Sequence, residues 1–196
     1  MLNCESIAVP VIDISLADGK LNVKRSVPKC TLCHTQKLCD GRQEIKAVIA
    51  LRYIERGTEI SDRLDRLLHD LITQKEYVDF LIGRDGEFDL LASAAIKRAI
   101  RSNGYGNTHF TLVLPYMKAE YRDNEKEYLD YYDEVEVCAE SSEAHPKSAI
   151  QVRNRSMIDR ADLVVCCIQH KSGGAYATIR YAEKQDKKIV NLADEN

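Results

Sequence analysis

The stretch "LVVCCIQHKSGGAYATIRYAEKQ", Leu163 to Gln185, runs an unbroken apolar segment into two adjacent glycines and then into residues of helical period. A short apolar run bounded by turn residues is the pattern of a strand buried on both faces. In the residues that follow, Ala175, Ile179 and Ala182 fall on one side of a helix. A strand that releases a glycine pair at the start of a helix is what a parallel sheet wrapped by helices requires.

The same alternation extends over the chain from about Ile45 onward. The strands expected are "KAVIAL", "YVDFLIG", "FTLVLPY", "EVEVC", "LVVCCI" and "KIVNL". Between them, Leu64, Leu67, Leu68 and Leu71 share a helical face, as do Leu91, Ala92, Ala95, Ile96 and Ala99. A third helix is expected from about Ser148 to Arg160, and a fourth from about Gly174 to Lys184. "SNGYGN", Ser102 to Asn107, reads as a helix stop and loop. "PYMKAEYRDNEKEYLDYYDEVE" is tyrosine-rich and charged, and reads as a solvated helix or loop over the third and fourth strands, with a mobile flap as the alternative. The expectation is an α/β domain over 45–196, its sheet parallel or mostly parallel and flanked by helices.

Residues 1–44 differ in character. "VIDISLADGKLNVKRSV" alternates apolar and polar residues about Asp18-Gly19, the pattern of a β-hairpin, and is followed by the cysteine cluster "CTLCHTQKLC". Cys30 and Cys33 form a C-x2-C pair that could wrap a tetrahedral zinc, with Cys39 and the distant Cys4 as further ligands. A second C-x2-C or a histidine pair does not follow, so structural zinc competes with unligated thiols. His34 makes "CTLCH" match a haem c attachment pattern, which we take as coincidence.

With 196 residues, 28 Lys+Arg and 31 Asp+Glu, the formal charge is -3. Such a chain has no broad attraction for a polyanion, so nucleic acid is disfavoured as the main partner. No run approaches the roughly 18 to 20 apolar residues of a membrane span. A soluble cytoplasmic protein is expected. Seven cysteines, an odd number, argue against a disulfide framework.

Two segments could carry a site. In "FLIGRDGEFD" an apparent strand ends in Gly83, passes Gly86 and starts a helix near Asp89, so that free backbone amides could meet an anion. Asp89 suits either helix capping or a ligand hydroxyl. The spacing is not the G-x-G-x-x-G fingerprint of dinucleotide binding. In the second segment an arginine-rich helix feeds the strand that ends in Ser172, Gly173 and Gly174. Both glycine turns would leave the carboxyl ends of strands, where open parallel sheets bind ligands, and arginine can grip phosphate in bidentate fashion. His170 stands close enough to touch such a ligand, whereas His145, before Pro146, reads as a loop residue.

Taken together, "RNRSMIDRADLVV…SGGAYATIRYAEKQDKKIVNL", "FLIGRDGEFD" and "LVLPY" resemble the SLOG superfamily, and within it the YpsA-like branch, over about Lys46 to Leu192. The superfamily also includes the LOG-type phosphoribohydrolases and DNA-processing proteins. The resemblance implies a Rossmann-like fold, a homodimer and a bound nucleotide or nucleotide-derived molecule. The hydrolytic LOG branch carries an arginine four residues before a methionine and then a "PGGxGTxxE" loop. Arg153, Met157, Gly173 and Gly174 match it, while Ser172, Tyr176, Ala177 and Arg180 replace the proline, third glycine, threonine and glutamate. Arginine cannot serve as the carboxylate does, which argues against that hydrolysis and, if Arg180 points inward, for holding a polyanion. YpsA-like relatives also place Gly-His-Arg near the end of the first strand, where only Arg52 could stand in.

The leading expectation is therefore non-catalytic binding or sensing of a nucleotide-derived phosphate ligand by Gly83, Gly86, Asp89, Arg153, Ser172, Gly173, Gly174 and Arg180. The alternatives are an N-glycosidic hydrolase with its acid at Asp89 or Glu87, and a nucleic-acid or protein adaptor that docks through the cysteine-bearing hairpin.

Overall fold

The central apolar runs become strands because a parallel sheet covered on both faces hides most side chains along them. The computed structural model describes residues 11–17, 20–26, 44–49, 57–103 and 106–194, and the chain divides into two compact units, Met1–Gln43 and Glu44–Asn196. In the first, β1 (Val11–Ala17) and β2 (Lys20–Ser26) pair antiparallel with Ala17 opposite Lys20. This is the register that a two-residue Asp18-Gly19 connection imposes. Cys4, Cys30, Cys33 and Cys39 lie outside the described residues, as does Arg52.

The second unit carries β3 (Glu44–Ile49), α1 (Gly57–Gln74), β4 (Tyr77–Ile82), α2 (Glu87–Asn103), β5 (Thr108–Leu114), α3 (Ala119–Asp123), α4 (Glu125–Tyr131), β6 (Glu134–Val137), α5 (Ala139–Ser142), α6 (Pro146–Arg160), β7 (Leu163–Cys166), α7 (Gly173–Lys184) and β8 (Lys188–Asn191). The sheet runs β6-β5-β4-β3-β7-β8 and every pairing in it is parallel. The chain winds outward from β3 to β6, then crosses back to place β7 on the other side of β3. That reversal is the topological switch point of a Rossmann-like sheet.

Ala47, Ile49, Phe80, Ile82, Phe110, Leu112, Leu163 and Val165 are all fully buried and form the centre of the sheet. From α1, Leu64, Leu68 and Leu71 are buried, and from α2, Ala92, Ala95, Ile96 and Ala99. The two helices lie side by side, linked by Arg98 to Asp65 at 3.1 Å and by His69 to Asn103 at 3.1 Å.

Short polar side chains fix where strands begin. Asp162 accepts from the Lys46 amide at 3.0 Å and so pins the start of β7 to β3. Asp133 accepts from the Phe110 amide at 2.9 Å and does the same for β6 against β5. At the other edge, Asn191 accepts from the Ile168 amide at 2.9 Å and donates to its carbonyl at 3.0 Å, which ties the ends of β8 and β7.

Two sequence expectations change. α6 starts at Pro146 rather than Ser148, because proline is tolerated at the first helical position and the His145 ring accepts from the Lys147 amide at 3.2 Å. His145 is thus a helix cap and not a plain loop residue. The tyrosine-rich segment is not a solvated cover either. It folds into α3 and α4, and Tyr121, Tyr128 and Tyr132 are buried. Their rings stack in series, Tyr121 on Tyr128 with centroids 5.3 Å apart and Tyr132 on Phe110 at 4.9 Å, extending the core past β5.

Candidate functional site

Because all strands of the sheet point the same way, the turns after β4, β5 and β7 leave one edge together. At the centre of that edge lies Arg153. It occupies the inward stripe of α6 with Ala149 and Met157, and only 2% of it is exposed. Its Nη1 donates to the Val113 carbonyl at 2.6 Å and its Nη2 to Asp85 Oδ2 at 2.7 Å. Its Nε is buried and has no hydrogen-bond partner among the described residues.

The turn after β4 is shaped around this guanidinium. A Cβ on Gly83 would lie 2.4 Å from Nη1 and 2.8 Å from Cζ and Nη2, so only glycine fits. Two residues on, Asp85 receives Arg153 on one oxygen and Lys118 on the other. Lys118 comes from the segment just after β5, and its side chain is 23% exposed. Asp85 thus stands between two cations, and Lys118 reaches from it towards solvent. Beside it, Tyr116 and Met117 are exposed.

Asp89 is nearly buried in the first turn of α2 and accepts from the Asp85 amide at 3.0 Å. The bond ties the first turn of α2 to Asp85, which lies just ahead of the helix start at Glu87. Burial pushes its carboxyl above the ordinary range, opposed by that amide bond and by the charge of Arg153. Asp89 therefore holds the turn, and Glu87 beside it is exposed. Gly86 is not crowded, since a Cβ there would meet only Asp89 Oδ2 at 3.9 Å.

The second glycine turn is open. Gln169, His170, Lys171, Ser172, Gly173 and Gly174 are exposed. Gly173 has φ 87°, a left-handed value that favours glycine, and it sets the direction from which the chain enters α7. Ser172 makes no side-chain cap bond. A Cβ on Gly174 would approach Gln151 of α6 at 3.8 Å, an ordinary contact. Arg180 is not part of this cluster. It is exposed two turns into α7 and is paired with Glu183 of the same helix. The structure thus brings Gly83, Gly86, Asp89 and Arg153 together and leaves Arg180 outside.

Sequence reasoning missed Asp85 and Lys118. Asp85 sits inside "GRDGEFD", and Lys118 follows "LVLPYM" directly, where a strand's carboxyl end is expected. Position after a strand was the available signal for both. Cys166 and Cys167 are buried, and burial pushes both thiols up, that of Cys166 to about 12. Among the described residues no group of three or more His, Cys, Asp or Glu side chains could hold a metal ion, and no helix is long and apolar enough to cross a membrane.

The order and direction of the strands define a Rossmann-like α/β domain. No family model matches the chain, and no curated protein matches it in sequence. Two solved structures share its fold. DNA processing protein A from Helicobacter pylori, solved for its single-stranded DNA binding mode, aligns with TM-score 0.51 and 15% identity over 74% of this chain and 63% of its own. DNA processing protein A from Streptococcus pneumoniae aligns with TM-score 0.52 and 16% identity over 74% of this chain and 49% of its own. The chain thus spans about half to under two thirds of the length of these structures.

These likenesses overturn two expectations. The first is the disfavouring of nucleic acid on net charge: the fold is that of DNA-processing proteins, one of them characterised by how it binds single-stranded DNA. A sum of -3 over the whole chain does not describe one edge, where Lys118 and Arg153 meet at Asp85. The second is the reading of both glycine turns as a cradle for a nucleotide-derived small molecule. At Gly83 the close approach that glycine permits is made by the protein's own Arg153.

Proposed function

We propose that this chain binds single-stranded DNA along the carboxyl edge of its sheet. The observation that carries the reading is the string Arg153, Asp85 and Lys118, standing at the ligand edge of a fold shared with two DNA processing proteins. Lys118 meets a backbone phosphate. Tyr116, exposed next to Lys118, offers a face on which a base stacks. Arg153 acts indirectly, by fixing the Asp85 turn from within.

The same reading assigns the chain to the SLOG superfamily. Its placement in the YpsA-like branch rests on the resemblance of "RNRSMIDRADLVV…SGGAYATIRYAEKQDKKIVNL", "FLIGRDGEFD" and "LVLPY".

The test is fluorescence anisotropy with a labelled single-stranded oligonucleotide over a salt series. Affinity should fall as salt rises, and Lys118→Ala should reduce the magnitude of the log–log slope by about 0.7, the release expected for one lost phosphate contact on a single strand. No binding at low salt, or binding indifferent to salt, would refute the reading.

A further inference from the structure

Between α2 and α4 lies a cleft of about 430 Å³, inside the roughly 300–1,000 Å³ range of ligand clefts. Its wall is tyrosine: Tyr128, Tyr131 and Tyr132 line one side, and Leu90 and Ser93 of α2 line the other. The charged groups in the lining are Glu120, Glu127 and Arg84, two carboxylates against one cation.

Arg84 shows what such a wall accepts. It reaches in from the β4–α2 turn, its guanidinium lies 4.7 Å over the Tyr128 ring, and it pairs with Glu120 at 3.2 Å. A long aliphatic cation thus already rests on an aromatic ring there, with a carboxylate at its tip. With Arg84 and Glu120 matched, the charge left in the lining is that of Glu127. This side chain is exposed, and its carboxylate makes no hydrogen bond or ion pair among the described residues. Asn124, Glu127 and Tyr131 recur at helical spacing and all line the cleft. Asn124 donates its amide to the Glu120 carbonyl at 2.9 Å, which leaves its side-chain oxygen to accept. Lys97 lies 5.3 Å over the Tyr131 ring and is held by the Tyr131 carbonyl. It is not part of the lining and does not reach Glu127.

An anion is repelled by this lining, and a neutral apolar ligand would cover the Glu127 carboxylate without replacing its water. An alkyl cation suits both parts, because a methylene stem covers apolar wall while its charged head stays at a carboxylate. We propose that the cleft binds a small aliphatic cation, an alkyl amine or guanidine. Its stem lies along Leu90 and the tyrosine wall, and its head sits between Glu127 and the Asn124 side-chain oxygen. This site is independent of the single-stranded DNA reading.

Isothermal titration calorimetry at constant ionic strength tests it with agmatine, which carries an amine and a guanidine on one short chain, and with butanediol as the neutral control. Agmatine should bind saturably and the diol should not. Glu127→Gln, at an exposed position, should weaken agmatine by about fivefold. Leu90→Lys, at an exposed rim position, places a competing cation in the cleft and should abolish binding while the circular dichroism spectrum stays that of the wild type. Acetyl-arginine amide separates the sources of the cation: tighter binding than agmatine assigns it to the side chain of a partner, weaker binding to a free amine. No saturable binding of either cation, equal binding of the diol, or unchanged agmatine binding in either variant would overturn the site.

Discussion

Replacing Gly83 by alanine tests the centre of the site without adding or removing a charge. The new methyl would begin 2.4 Å from Arg153 Nη1 and 2.8 Å from Cζ. To restore an ordinary contact of roughly 3.5 Å, the guanidinium must withdraw by about 1 Å. The end of an arginine usually moves freely, but this one is 2% exposed and held at 2.6 Å by Val113 and at 2.7 Å by Asp85. Withdrawal loses at least one bond to a charged group, roughly 1.5–3 kcal/mol, and overpacking alone costs about 1–3 kcal/mol. Both arise from one clash, so Gly83→Ala should lower the unfolding free energy by about 2–4 kcal/mol. Gly86→Ala is the control. Its methyl meets Asp89 Oδ2 at an unstrained 3.9 Å, and the change should stay within about 1 kcal/mol. Urea denaturation followed by circular dichroism measures both. Because the cost runs through Arg153, the double variant Gly83→Ala/Arg153→Ala should be more stable than the sum of the single changes by about 1 kcal/mol or more. If Gly83→Ala proves as stable as the wild type, or the two changes simply add, the glycine is not there to admit Arg153.

Other groups make separate predictions. Asp89 binds its proton more tightly folded than unfolded, so its contribution to stability falls as pH rises from the ordinary 3.8 through its raised folded value and is level above that. Urea midpoints for Asp89→Asn should therefore gain on the wild type over that interval, and a gain in the opposite direction would reverse the argument. Tyr128 is pushed up to about 12 by burial, with the bond to Glu120 adding to it. Subtracting the 295 nm titration of Tyr128→Phe from that of the wild type should leave a transition near 12, and one at the ordinary value would show the ring to be solvated. Cys166 and Cys167 should remain unalkylated under native conditions and react on unfolding, read by peptide mass spectrometry.

The central strands of the larger unit were legible because a parallel strand buried on both faces leaves a continuous apolar run, while the edge strands β6 and β8, which contain no buried residue, showed only short valine- or isoleucine-bearing segments. The four long helices were legible because leucines and alanines repeat at helical spacing. Strand order was not, since "KAVIAL" and "LVVCCI" look alike whichever neighbour they take. α3 and α4 were hidden by composition: Tyr121 and Tyr128 stand among charged residues, and only packing shows that their rings join the core. Arg153 was chosen for its match to the arginine of the LOG branch, yet it lies on the stripe with Ala149 and Met157, where its fixed partners are Val113 and Asp85. Gly83 was read as room for a ligand. A sequence shows that something comes close to a glycine but not that the visitor is the chain's own side chain. The net charge misled for a similar reason, as an average cannot show where cations gather.

The account stands most directly on where a single strand touches the protein. Photocrosslinking of an iodouracil-substituted single-stranded oligonucleotide, followed by peptide mass spectrometry, reads this in one step. Crosslinks should fall on the carboxyl edge, within residues 83–86, 115–118 and 169–174. Crosslinks confined to the opposite edge, around Tyr77, Asn107 and Lys187, would contradict the assignment of that edge as the site.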